Sequence, residues 1–236
     1  MGRFLKFRYI FFVLILMGCG DDKGQKDPGN GKLAPSEQNA AAVARKGQTI
    51  LFFGDSLTAG LGLDPNLAFP SLIGQRLDSL GYSFEVINAG LSGETTASGR
   101  NRLDWVLRQP VDVFVLELGA NDGLRGIPLE ETRKNLEAMI LTVRKKYPEA
   151  RIVLAGMQLP PNMGPEYTVS FRKIFPELAE KHQVLLIPFL LDGVGGVPEL
   201  NQDDGIHPTA EGHRIVAENV WEILSPAVKG LNRTGP

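Results

Sequence analysis

One segment limits what this chain can become. Val111–Leu118 reads VDVFVLEL and is apolar at all but two positions. So short and continuous an apolar run suits a parallel strand covered on both faces. A covered parallel strand needs crossover connections, and the flanking sequence supplies them. Strand-like segments at Thr49–Phe53, Phe84–Ala89, Arg151–Gly156 and Val184–Pro188 surround it. Helical patterns at Ala68–Leu80, Ser98–Gln109, Leu129–Tyr147, Glu166–Lys181 and Pro208–Leu224 fall between and after them. This alternation predicts an α/β fold, a three-layer α/β/α sandwich on a five-stranded parallel sheet. Pro176 is expected to disturb its helix, and Pro208 to sit in the first turn of the last one.

The chain has 236 residues, enough for one such domain with extensions. Arg3, Lys6 and Arg8 precede an apolar run, Tyr9–Met17. As a helix that run spans about 14 Å, against roughly 30 Å of bilayer core. Residues 1–18 therefore have the layout of a secretory signal peptide. The run ends at Leu16-Met17-Gly18-Cys19, which resembles a bacterial lipobox. The resemblance implies cleavage before Cys19 and lipidation of that cysteine. Cys19 is the only cysteine, so an internal disulfide is excluded. Residues 19–48 carry no aromatic side chain and include Pro28, Gly29, Gly31 and Pro35. They are expected to form a flexible tether with a root-mean-square span of about 30 Å. Residues 49–226 are then the folded domain and 227–236 a tail. The expected location is the bacterial cell envelope, anchored to a membrane by lipidated Cys19 and facing the periplasm. Gly20, rather than an aspartate, follows Cys19 and favours the outer membrane. A net charge of −2 argues against a nucleic-acid partner. A monomer is expected.

In parallel sheets, ligands bind at the carboxyl ends of the strands. The residues following the strands are Gly54-Asp55-Ser56-Leu57, then Asn88–Thr95, then Gly119-Ala120-Asn121-Asp122, then Met157–Asn162. Beyond the last strand comes Asp204-Gly205-Ile206-His207-Pro208. Ser56 could project a hydroxyl into the cleft, but serine is common in turns and needs a base. Of the three histidines, His207 lies in a loop at that edge; His182 and His213 read as solvated or surface positions. Asp204 precedes His207 by three residues and could orient its imidazole, as in a Ser–His–Asp relay. Asp203 could serve equally well as a simple helix cap. Ser56 N–H, Gly93 N–H and the Asn121 amide are candidate donors to an oxyanion. Glu117 interrupts the apolar strand and is expected to be partly buried, holding neighbouring loops by hydrogen bonds.

Together these four blocks resemble the SGNH, or GDSL-type, hydrolase family, over about Thr49–Leu224. The stretches Gly119–Gly126 and Met157–Tyr167 resemble its bacterial subgroup of thioesterase I, arylesterase and lysophospholipase enzymes. The resemblance implies a flavodoxin-like fold and a serine esterase acting on acyl esters, thioesters or lysophospholipids. It implies Ser56 as nucleophile, His207 as general base and then acid, and Asp204 as its partner. It implies Ser56, Gly93 and Asn121 as the oxyanion hole. No cofactor or metal is implied. Leu124–Pro128 and Leu159–Tyr167 are expected to wall an acyl groove. The alternatives are a carbohydrate O-acetyl esterase of the same fold and a non-catalytic substrate-binding lipoprotein. A dinucleotide site is disfavoured, because Gly60-Leu61-Gly62 is followed by Pro65 where a third glycine is needed. An α/β-hydrolase elbow is disfavoured by Thr58 in place of the second glycine. A metallo-phosphoesterase using Asp55, Asn121, Asp204 and His207 would need more histidines at the cleft.

Overall fold

The computed structural model describes residues 47–232. The segment expected as a signal peptide, Cys19 and most of the segment expected as a tether lie outside the described residues. The strands are β1 (Gln48–Gly54), β2 (Phe84–Gly90), β3 (Val113–Glu117), β4 (Arg151–Ala155) and β5 (Leu185–Ile187). They form one parallel sheet in the order β2-β1-β3-β4-β5. The helices are α1 (Ser56–Ala59), α2 (Phe69–Ser79), α3 (Thr96–Val106), α4 (Ala120–Leu124), α5 (Leu129–Lys146), α6 (Pro165–His182) and α7 (Ala210–Asn232). Helices α2 and α7 pack together on one face of the sheet; α3, α5 and α6 form the layer on the other. This is the expected three-layer α/β/α sandwich.

Burial follows position in the sheet. β3 is buried at every residue, and Ile50–Phe53 of central β1 are buried with it. Edge strand β2 is only half-buried and tolerates Glu85 and Asn88. In α5 the buried residues Leu136, Met139, Ile140 and Val143 recur at helical spacing. Its first turn carries Glu130 and Glu131 and its last Arg144, Lys145 and Lys146, each sign suited to its end of the helix dipole.

Several expectations are corrected. The final helix starts at Ala210, with Thr209 Oγ1 accepting from Gly212 N–H, so Pro208 precedes the helix. It also continues to Asn232, burying Ala227 and Val228. The segment expected as a tail from residue 227 therefore begins as core-packed helix. Helix α6 runs through Pro176 without a break. His182 is buried, with Nε2 2.8 Å from Glu137 Oε1. His213 is buried too, and its Nδ1 accepts from Phe69 N–H.

Candidate active site

The strand order reverses direction at β1, which has β2 on one side and β3 on the other. Such a reversal opens a crevice at the carboxyl ends of the strands. Ser56 follows β1, Gly93 follows β2 and Asn121 follows β3, so all three meet at this crevice.

The turn after β1 is sharp. Asp55 has φ −99° and ψ −141°, and its Oδ1 accepts from Leu57 N–H at 3.0 Å, capping α1. Ser56 is the first residue of that short helix, where N–H groups have no intrahelical partner. Ser56 N–H and Gly93 N–H have no hydrogen-bond partner among the described residues.

His207 arrives from the loop before α7. Its Nε2 accepts from Ser56 Oγ at 2.9 Å, and its Nδ1–H donates to Asp204 Oδ2 at 2.6 Å. Asp204 Oδ1 also accepts from Ile206 N–H and His207 N–H, each at 3.0 Å. It is thus Asp204, not Asp203, that turns back on the imidazole. The two backbone donors and the imidazole hold the Asp204 carboxyl down to about 2, the Ile206 N–H bond contributing most. Asp204 therefore stays ionised across the working pH range and fixes a single histidine tautomer. Gln202 braces the loop: its side-chain amide donates to Leu61 O at 2.7 Å and Pro208 O at 3.0 Å.

The Asn121 amide donates to Asp55 Oδ2 at 3.0 Å and to Glu94 O at 3.1 Å. Both acceptors are themselves fixed. Glu94 is buried in an ion pair with Arg102, which also donates to Ala89 O and lies 4.3 Å over the Phe53 ring. Thr96, at the start of α3, donates to the Asp122 carboxylate through N–H and Oγ1. Arg125 donates to Gly93 O at 3.1 Å.

The structure thus brings Ser56, Asp204, His207, Gly93 and Asn121 to one place. Ser56, Gly93, Asn121 and His207 line a cavity of about 550 Å³ with mostly apolar walls, and Asp204 stands behind His207. Leu124, Leu159, Pro160 and Pro161 belong to those walls, as expected of their loops. Tyr167 does not; its hydroxyl donates to Ile127 O at 3.1 Å and ties the first loop to α6. Leu61, Phe189, Leu191 and Ile206 also line the cavity and were not expected from sequence. Phe189 and Leu191 reach the cavity from a loop read only as a connection, and Leu61 and Ile206 stand in motifs read for their glycine or polar neighbours.

Residues 52–215 match the GDSL-like Lipase/Acylhydrolase family. Esterase TesA of Pseudomonas aeruginosa is 42% identical over 190 residues, covering 80% of this chain and 91% of that protein. Thioesterase 1/protease 1/lysophospholipase L1 of Escherichia coli strain K12 is 37% identical over 186 residues, covering 78% and 87%. The crystal structure of TesA superposes with a TM-score of 0.73 at 41% identity, covering 76% of this chain and 99% of that one. The chain belongs to the GDSL-like lipase/acylhydrolase family.

Proposed function

We propose that this protein is a carboxylic ester hydrolase that works through an acyl-enzyme on Ser56. The observation that carries the reading is one hydrogen-bonded line, from Asp204 Oδ2 through the His207 ring to Ser56 Oγ. A serine hydroxyl is a weak nucleophile until a base takes its proton. His207 Nε2 takes it as Oγ attacks the acyl carbonyl carbon. Asp204 stabilises the imidazolium that results. The carbonyl oxygen becomes an oxyanion and accepts from Ser56 N–H, Gly93 N–H and Asn121. Asn121 turns to it the N–H that otherwise donates to the neutral Glu94 carbonyl, because a charged acceptor makes the stronger hydrogen bond. His207 then protonates the leaving alcohol or thiol, and the acyl group stays on Oγ. Water repeats the sequence and frees the acid.

The apolar walls favour acyl chains of short to medium length. Esters, thioesters and lysophospholipids present the same acyl half, so all three are proposed substrates. The protein is further proposed to sit in the bacterial cell envelope, facing the periplasm, with Cys19 as its lipid anchor. A fluorophosphonate probe is expected to label wild type on Ser56 and leave Ser56→Ala unlabelled and inactive on p-nitrophenyl butyrate. Near-wild-type turnover by folded Ser56→Ala overturns the assignment. An activity profile peaking on acetylated sugars overturns the acyl-chain preference.

A further inference from the structure

Glu117 ends β3 as the register partner of Gly54. Its side chain is buried in a strand whose other residues are apolar. A carboxyl in such a place costs free energy unless it is used. Its Oε2 accepts from Thr58 Oγ1 at 2.7 Å and from Asp55 N–H at 3.1 Å. Its Oε1 has no hydrogen-bond partner among the described residues. The carboxyl is packed so tightly under the turn that a Cβ on Gly54 would overlap Glu117 Oε2 and Thr58 Oγ1. Asp55 sits between this carboxyl and the cleft. Its N–H is held by Glu117, its Oδ1 by Leu57 N–H and its Oδ2 by the Asn121 amide.

We propose that Glu117 is a positioning residue for ester hydrolysis, holding the Asp55–Ser56 turn from below and, through Asp55, aiming the Asn121 amide. It touches no substrate. Burial first, and then the negative charge of Asp55, push its carboxyl well above the ordinary range. An apolar side chain would pack β3 but would leave Thr58 Oγ1 and Asp55 N–H without an acceptor.

The inference rests on Ser56 as nucleophile, and the test separates the two. In the full chain, Glu117→Ala is expected to lower kcat at least ~tenfold with KM within about twofold. Glu117→Gln, uncharged and of the same shape, is expected to recover most of that loss. In an Asn121→Ala background, Glu117→Ala should cost far less, because residues acting through one another are not additive. Equal losses in both backgrounds overturn the proposal. So does a Glu117→Gln as impaired as the alanine variant, or a Glu117→Ala within about twofold of wild-type kcat. If Glu117→Ala does not fold, Thr58→Val removes one of the two donors and is read in the same cycle. A kcat unchanged by Thr58→Val then overturns the role. An active Ser56→Ala overturns the esterase reading itself. An inactive Ser56→Ala beside an unimpaired Glu117→Ala overturns only the positioning role.

Discussion

Gly54 and Gly93 are both glycines of the active-site loops, for different physical reasons. Gly54 has no room: a Cβ would lie 2.6 Å from the Glu117 carbonyl oxygen and overlap two side chains. Gly93 has room, since a Cβ would meet only Arg125 Nη2 at 3.7 Å, but its φ of +78° suits glycine alone. Gly54→Ala is therefore expected to lose stability, by roughly 1–3 kcal/mol from overpacking, together with activity. Gly93→Ala is expected to lose mainly activity. Its backbone turns away from φ > 0, and losing one oxyanion donor costs about 10²–10³ in rate. Urea midpoints and kcat on p-nitrophenyl butyrate distinguish the two; a Gly93→Ala with wild-type kcat removes its N–H from the oxyanion hole. At this scale the sequence was informative where the chemistry sits in short blocks. Ser56, Asp204 and His207 each stand beside the glycines or prolines that shape their loops. The role of Asp55 as acceptor for Asn121 was not legible. The two residues are far apart in sequence, and only pairing of β1 with β3 makes them neighbours.

Helix α2 shows the same limit among elements. It starts at Phe69 after Ala68, which has no side chain able to cap it. His213 of α7 supplies the cap instead, with Nδ1 accepting from Phe69 N–H at 3.2 Å and the two rings stacked at 14°. Burial, more than the charge of His207, lowers His213 from 6.5 to about 4. The sign follows from proton uptake. Between those values the unfolded chain binds more protons at this residue than the folded one, so stability falls as pH drops from 6.5 toward 4. The loss attributable to His213 is roughly 3 kcal/mol at most. His213→Asn keeps an acceptor and cannot charge. It should lose less stability than wild type between pH ~7.5 and ~4.5, measured by urea unfolding. Equal losses would show that His213 is not the source. Sequence patterning found the helices themselves, because apolar periodicity and prolines are local signals. It placed His213 on the surface because its partner lies in another helix.

The parallel sheet separates the candidate active site from the amino end of β1. All five strands run parallel, so their carboxyl ends share one edge of the sheet, and Ser56, Gly93 and Asn121 follow three of them. The chain enters the domain at the opposite, amino end of β1. That strand is 7 residues long, about 23 Å. The alternating order of segments was legible in the sequence, and so was the edge that carries the site. Ser56 lies at the other end of β1 from the point where the chain enters the described domain, and a dissolved ester needs no anchor to reach it. Cys19→Ala is expected to move the protein from the detergent phase to the aqueous phase on partitioning. Its kcat/KM for p-nitrophenyl butyrate should stay within about twofold of wild type. A variant that still partitions into detergent overturns the anchor. One that becomes soluble but loses most of its turnover shows instead that the anchored segment shapes the cleft, a coupling that the parallel sheet gives no reason to expect.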